Sequence, residues 1–129
     1  MNLLERITWI TEKIAGASIT MGDEYDLQAG IQAALEGHGV EVRREVRLAD
    51  GISRIDLVVI DPLMLATTVG IEVKVDGSAA DVVRQLTRYS KEPTLDGLVL
   101  VTTRSKHHHI PTELNAKPVR LVSLIGAGL

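Results

Sequence analysis

The sequence predicts an α/β domain of mixed α+β type, in which helices flank a central sheet of parallel and antiparallel strands. Three observations support this class. Apolar residues repeat at helical spacing before residue 40, alternate at strand spacing after it, and then form two apolar runs on either side of another helical segment. With 129 residues, 45% of them hydrophobic and 24% charged, residues 1–129 are expected to form a single domain.

Two helices are predicted before the first strand, over residues 2–15 and 23–36. The apolar residues of the first helix recur every three or four positions, which places them on one face. They are Leu3, Ile7, Ile10 and Ile14. The second helix has Asp23 as its expected N-cap, and the glycines at positions 37 and 39 end it.

An antiparallel hairpin is predicted next, with strands over residues 40–48 and 52–60. The first strand alternates apolar and charged residues, apart from a phase slip at Arg43-Arg44 that indicates a bulge. The expected boundaries are the Asp50-Gly51 turn between the strands and the Asp61-Pro62 stop after the second.

Beyond the hairpin, the pattern predicts a strand over residues 69–75, a helix over 79–91 and a strand over 96–103. The last of these contains an uninterrupted apolar run, which is typical of a strand buried on both faces. Because a helix connects the two strands, they are expected to lie parallel with a right-handed crossover. The C-terminal region 104–129 is predicted to hold a loop and a final strand over 119–125.

Composition and charge exclude several classes of function. The absence of cysteine rules out disulfides and thiolate metal sites and fits a reducing cytoplasm. Aromatic residues make up 2%, too few for the stacking platforms of single-strand binders. The net charge of −3 argues against non-specific coating of nucleic acid, and no apolar run is long enough to span a membrane. We expect a cytoplasmic protein with no membrane contact, in which any contact with nucleic acid is local.

Acidic and basic side chains meet on two neighbouring predicted strands. Strand alternation puts Glu72 and Lys74 on one face of the third strand. Asp56, in the preceding strand, lies among aliphatic residues, where an isolated carboxylate is costly. If these strands pair, Asp56 lies beside Glu72, and the two carboxylates repel unless a proton or cation intervenes. Oxygen ligands without cysteine or a helical histidine pair favour Mg²⁺ or Mn²⁺ over zinc.

This pattern resembles the PD-(D/E)XK nuclease superfamily, whose restriction-endonuclease-like core has the element order αβββαβ. The signature of that family is an aspartate, a spacer and an acid-X-lysine triplet on two adjacent strands. Here Asp56 is followed, after fifteen intervening residues, by Glu72-Val73-Lys74. Ile55 stands where the family name has proline, a position that varies.

Two further motifs are similar to those of RecB-like members. Glu24 lies on a helix before the sheet, where such members carry an additional metal-binding acid. Gln85 and Tyr89 match the Gln-x-x-x-Tyr motif on the helix after the third strand. The resemblance covers about residues 23–103 and points to small stand-alone members found in bacteria and their phages, so the cytoplasm of a bacterium or of a phage-infected cell is expected.

The resemblance implies a divalent-metal-dependent nuclease that hydrolyses phosphodiester bonds of DNA. Asp56 and Glu72 would bind Mg²⁺ or Mn²⁺, together with the main-chain carbonyl of Val73 and with Glu24. Lys74 would be the third catalytic residue, and would orient or deprotonate the nucleophile or neutralise charge at phosphorus.

Accessory residues are expected on the helix after the third strand. Gln85 and Tyr89 share a helix face and would hold the phosphate backbone or support the metal ligands. Arg54, Arg84 and Arg88 would add the local positive charge that binding to DNA requires.

A homodimer is also expected, since a two-fold axis would place one site against each strand of a duplex. The helix over residues 2–15 lies outside the αβββαβ core and has an apolar face to bury. That face would pack on its own core or on a second copy.

Ordinary structural explanations exist for each residue. Asp56, Glu72 and Lys74 could form a cross-strand ion pair, and Glu24 could be an acid favoured by the first turn of its helix. Gln85 and Tyr89 could be ordinary residues of a helix face, with Tyr89 half buried, and Arg84 and Arg88 could form a solvated face. The tract His107-His108-His109 is expected to be a polar or phosphate-contacting loop without a metal role.

Two alternatives to a DNA nuclease stay open. One is a catalytically silent nucleic-acid-binding or assembly module of the same fold. The other is a nuclease directed at RNA or at branched DNA such as a Holliday junction, since metal chemistry at phosphorus does not select the nucleic acid.

Overall fold

The computed structural model describes residues 1–20, 22–60 and 67–124. Within these ranges the chain forms three α-helices, six strands and one short 3₁₀ helix. The helices are α1 (Leu3–Ala15), α2 (Glu24–Glu36) and α3 (Ala79–Ser90), and the 3₁₀ helix is Ser105–His107. The strands are β1 (Glu41–Arg47), β2 (Arg54–Ile60), β3 (Val69–Lys74), β4 (Gly97–Thr102), β5 (Glu113–Leu114) and β6 (Lys117–Ser123).

The strands of the described residues form one open, mixed sheet in the order β1-β2-β3-β4-β6-β5. β1, β2 and β3 are antiparallel neighbours, which confirms the predicted hairpin. β3 pairs in parallel with β4, which confirms the arrangement expected from their helical connection, and β4 pairs in parallel with β6. β5 adds a short antiparallel hairpin with β6 that the sequence did not indicate.

The observed element boundaries differ from the predicted ones by a few residues. β2 begins at Arg54 because the Asp50 side chain accepts hydrogen bonds from the amides of Ile52 and Ser53 and holds both in the turn. β6 begins earlier than the predicted strand, at residue 117. The Asp61-Pro62 stop and the predicted end of the last strand at residue 125 lie outside the described residues.

The phase slip in β1 has a different cause from the one predicted. The pairing of β1 with β2 keeps one register from end to end, so no residue is inserted and the predicted bulge at Arg43-Arg44 is wrong. Instead, Glu45 has a left-handed backbone, with a φ of 51°. Val42 and Val46 would lie on the same face of a regular strand. Here Val42 packs in the core on one side of the sheet and Val46 against the core on the other, so the strand turns over at Glu45.

Helices cover both faces of the sheet. α1 and α2 pack on one face, and their buried side chains are Ile7, Ile10, Ile14, Leu27, Ile31 and Leu35. α3 packs on the other face through Val82, Leu86 and Tyr89. β4 is buried at every position and contributes to both cores, as its apolar run predicted. None of the described helices combines the length and the apolar character needed to cross a lipid bilayer.

The apolar stripe of α1 is buried within the chain itself. Ile7, Ile10 and Ile14 are at most 1% exposed and pack against the sheet and α2. Of the two predicted partners for this face, the structure shows the chain's own core, and this burial stabilises the fold. The homodimer stays a prediction.

Candidate active site

The ladder between β2 and β3 ends at the pair of Leu57 and Ile71, one residue before Asp56 and Glu72 would face each other. Beyond this point, side chains replace the backbone pairing. The Val73 amide donates to Asp56 Oδ2 at 2.8 Å, and the Asp56 amide donates to Glu72 Oε1 at 3.3 Å. The strands thus stop pairing where two carboxyl groups lie between them, and these are the two acids that the sequence predicted to be neighbours.

The main chain supplies a third oxygen at the same place. The Lys74 carbonyl accepts a hydrogen bond from the Thr103 amide at 3.2 Å, on the β4 side of β3. Successive carbonyls of a strand point to opposite sides, so the Val73 carbonyl is directed to the β2 side. This is the side on which the Val73 amide meets Asp56. The predicted main-chain ligand therefore faces the gap that holds the carboxyl groups.

The two carboxyl groups are difficult to ionise together. Glu72 is 3% exposed, and burial, followed by the charge of Asp56, raises its pKa from 4.5 to about 8. Burial also raises the pKa of Asp56, against the effect of its hydrogen bonds to the Val73 amide and the Glu72 side chain. Without a cation, the pair keeps a proton at neutral pH, and a divalent cation can take the place of that proton.

Two groups contact the other oxygen of Glu72. Lys74 Nζ lies 3.6 Å from Oε2, and the Tyr89 hydroxyl lies 3.2 Å from the same atom. The Tyr89 hydroxyl also lies 3.2 Å from the Arg54 carbonyl. Since the hydroxyl has one proton, it can donate to only one of these two acceptors at a time. Burial and the nearby Glu72 charge raise the pKa of Tyr89, so its hydroxyl stays a donor.

Glu24 lies beside this pair. Its Oε1 accepts a hydrogen bond from the Val75 amide at 3.2 Å. Its negative charge is one of the causes that raise the pKa of Asp56. Among the residues described, no three acidic or histidine side chains converge closely enough to hold one metal ion. The two carboxyl groups that lie together are Asp56 and Glu72, and Glu24 as an additional ligand stays a prediction.

The donor set fits a hard divalent cation. Two carboxylates and a main-chain carbonyl are oxygen ligands, and Mg²⁺ binds through one or two carboxylates while keeping several waters. The raised pKa of both acids indicates that positive charge is favoured between Asp56 and Glu72. Asp56, Glu72 and the Val73 carbonyl are thus suited to hold Mg²⁺ or Mn²⁺.

A groove of about 360 Å³ opens beside Lys74 along α3. Three predicted accessory residues line it, namely Arg84, Gln85 and Arg88. Arg84 also pairs with the exposed Asp81. Arg54 lies elsewhere, on β2, where its guanidinium is 3.5 Å from Glu45 and its carbonyl meets Tyr89. The structure therefore brings most of the predicted positive charge next to Lys74.

The histidine tract differs from the predicted polar loop. His107 is fully buried, and its Nε2 donates to the Gly77 carbonyl at 2.8 Å. Its Nδ1 lies 2.7 Å from the Thr102 hydroxyl. His108 reaches Ser123 Oγ at 2.9 Å. The prediction is wrong for His107, which ties the end of β4 to the turn before α3.

Sequence reasoning did not assign Arg104 to the site. Its Nε donates to the Val75 carbonyl at 2.7 Å, and the amide of the same Val75 is bound by Glu24. A signal for this residue existed in its position, because Arg104 follows β4 and the ends of parallel neighbours meet at one edge of the sheet. Using that signal requires the parallel pairing of β3 with β4.

The metal-free protein is expected to lose stability between pH 4.5 and 8, and the Glu72→Gln variant is expected to lose less. An acid whose pKa is higher in the folded state binds its proton more tightly there, so its stabilisation is complete below pH 4.5 and is lost as the pH rises through 8. Melting temperatures in EDTA across this range measure the effect. Glu12→Gln, on the exposed side of α1, is the matched control, and parallel profiles for the wild type and Glu72→Gln would contradict the expectation.

Comparison with known protein families, curated proteins and solved structures finds no match to this chain. Its function is therefore inferred from the chemistry of the carboxyl pair, Lys74 and the adjoining groove.

Proposed function

We propose that this chain is a divalent-metal-dependent nuclease that hydrolyses phosphodiester bonds of DNA. The observation that carries the proposal is the buried pair of Asp56 and Glu72, with Lys74 Nζ 3.6 Å from Glu72, where β2 and β3 stop pairing. A structural ion pair with Lys74 needs one acid, whereas the second buried acid adds repulsion and desolvation. A cation held by both acids removes that cost and supplies the charge that hydrolysis at phosphorus requires.

The order of the elements supports the same proposal. From α2 to β4 the chain runs α, three antiparallel strands, α, and a strand parallel to the third. This is the αβββαβ order of a restriction-endonuclease-like core, which we propose for this chain. The candidate ligands lie on its second and third strands, as the metal ligands of such a core do.

In the proposed mechanism each side chain has a separate role. Asp56, Glu72 and the Val73 carbonyl would hold a divalent cation, which would supply Lewis-acid polarisation of the phosphate and a more acidic water when bound. Lys74 holds a positive charge where the groove meets the acids, and there it either orients the nucleophile or neutralises charge at phosphorus. Tyr89 fixes the orientation of Glu72 through its hydroxyl.

The groove along α3 accounts for DNA binding by an acidic protein. The chain has a net charge of −3, so contact with phosphates depends on a local cluster of basic side chains. Lys74, Arg84 and Arg88 form such a cluster around one groove, with Gln85 as an uncharged donor. One acid, Asp81, also lines the groove and pairs with Arg84. Arginine and lysine contacts of this kind position the backbone and do not read the sequence.

The proposal is tested by incubating the purified protein with linear, circular, single-stranded and branched DNA and with RNA, in Mg²⁺, Mn²⁺ or EDTA. We expect cleavage of at least one DNA substrate in Mg²⁺ or Mn²⁺ and none in EDTA. If only RNA is cleaved, the substrate is RNA and the assignment of DNA is wrong. Binding without cleavage of any substrate would favour a catalytically silent module.

Tyr89→Phe is expected to slow cleavage about tenfold while Mn²⁺ still binds, because a hydrogen bond to a charged group contributes about 1.5 kcal/mol or more. The lost bond is the one between the Tyr89 hydroxyl and Glu72 Oε2. Tyr25→Phe is a matched control, since Tyr25 is 63% exposed, and it should leave the rate unchanged. Cleavage rates at saturating metal and Mn²⁺ calorimetry make the comparison.

Gln85→Ala is likewise expected to weaken cleavage and to leave Mn²⁺ binding unchanged, because Gln85 lines the groove and does not contact the acids in the described structure. Wild-type turnover in both Tyr89→Phe and Gln85→Ala would make these two residues ordinary members of a helix face.

A further inference from the structure

Basic side chains that the mechanism does not use lie at the C-terminal end of β4. Arg104 Nε donates to the Val75 carbonyl at 2.7 Å, and the Val75 amide donates to Glu24 at 3.2 Å. Both contacts are to the backbone of one residue, so the guanidinium lies within about 10 Å of the Glu24 carboxylate. Arg104 therefore lies near Glu24, the acid whose charge acts on Asp56 of the carboxyl pair.

The positive charge of this loop is available to a ligand. Within the described part of the chain, the terminal nitrogens of Arg104 have no hydrogen-bond partner, since its side chain donates through Nε. A counter-charge for Arg104 is the exposed Asp76, whose pKa is lowered first by the Gly77 amide and also by this guanidinium. Lys106 Nζ lies 3.5 Å from Asp76, and both side chains are exposed. Exposed ion pairs of this type contribute little, so a phosphate can replace Asp76 at modest cost.

Buried contacts hold the loop in place. The ring of His107 is fully buried, with the Gly77 carbonyl on one nitrogen and the Thr102 hydroxyl on the other. The Thr102 hydroxyl in turn accepts from the Arg104 amide at 3.0 Å. The backbone that carries Arg104 and Lys106 is therefore fixed before any ligand binds, which lowers the entropic cost of binding.

We propose that residues 103–109 form a phosphate-binding loop that holds the sugar-phosphate backbone of the nucleic acid beside Glu24, in addition to the groove along α3. This inference rests on the proposed nuclease function. Arg104 and Lys106 each contact one phosphate of the strand, and His107 is the positioning residue that places them. Because phosphates carry no sequence information, the loop strengthens binding to any sequence equally.

The test measures how binding of a mixed-sequence DNA duplex depends on salt, in Ca²⁺ to limit cleavage. Log K falls as log salt rises, and each lost phosphate contact reduces the magnitude of that negative slope by about 0.9, so Arg104→Ala/Lys106→Ala should reduce it by about 1.8. Fluorescence anisotropy between about 50 and 200 mM NaCl gives the slope. Arg43→Ala/Lys13→Ala removes the same charge from β1 and α1 and should leave the slope unchanged.

The possible outcomes distinguish a failure of the loop proposal from a failure of the proposed nuclease function. A smaller magnitude of the salt slope in the loop variant alone, with Mn²⁺ binding intact, supports the loop proposal. If the wild type binds and cleaves DNA but the loop variant keeps the wild-type slope, the loop proposal is overturned and the nuclease proposal stands. An equal fall in the control overturns the loop as well, because bulk charge then explains the effect. Failure of the wild type to bind or cleave any nucleic acid overturns both.

Discussion

Glu72→Gln is expected to weaken Mn²⁺ binding by about 100-fold or more and to reduce cleavage to background, since loss of even an outer-shell partner of a metal costs about 10–100-fold. Glu72 is the more buried of the two acids and touches Asp56, Lys74 and Tyr89. Glutamine keeps the size of the side chain but removes the negative charge that holds the cation. Titration calorimetry with Mn²⁺ and a gel assay for cleavage measure the two effects.

The control for this substitution is Glu12→Gln, an identical change on the exposed side of α1. It should leave both metal affinity and cleavage at the wild-type level. Undiminished Mn²⁺ binding by Glu72→Gln, with the fold intact by circular dichroism, would mean that the metal binds elsewhere.

Lys74→Ala is expected to lower the cleavage rate by about 10² to 10⁴, the range for a group that acts on protons or charge in the transition state. Metal binding should persist or tighten, because the substitution removes a positive charge 3.6 Å from Glu72. The split between lost turnover and retained affinity identifies Lys74 as a group that acts on the reaction. Cleavage rates at saturating Mn²⁺, with calorimetry on the same samples, measure that split.

Lys13→Ala provides the control, because Lys13 lies on α1 beside Trp9 and far along the chain from the acids. It should cleave DNA at the wild-type rate. If Lys74→Ala instead loses Mn²⁺ affinity in proportion to its rate, Lys74 supports the ligands and does not act on the substrate.

Much of the fold could be predicted because its signals are local. Alternation and the Asp50-Gly51 turn define the β1–β2 hairpin, and the helical connection defines the parallel pair of β3 and β4. The β5–β6 hairpin was missed because its turn residues, Asn115 and Ala116, both have left-handed backbones, with φ of 50° and 64°. Alanine at such a position carries none of the glycine signal that marks these turns.

In the candidate site, too, the features set by local pattern could be predicted and those set by long-range contacts could not. The contact of Asp56 with Glu72 follows from strand register, which the sequence pattern determines once β2 and β3 pair. The burial of His107 does not follow from any local pattern, since its partners are Gly77, in the turn before α3, and Thr102, at the end of β4. Arg104 was missed for the same reason: it reaches Val75, 29 residues earlier in the chain.

The most direct test of the account is cleavage of DNA by the wild type and by Asp56→Ala/Glu72→Ala, each in Mn²⁺ and in EDTA. We predict fragments from the wild type in Mn²⁺, none in EDTA, and none from the variant in either condition, with both proteins folded by circular dichroism. Fragments from the variant at the wild-type rate, or no fragments from the wild type with any DNA substrate, would contradict the assignment of these two acids to a metal-dependent nuclease.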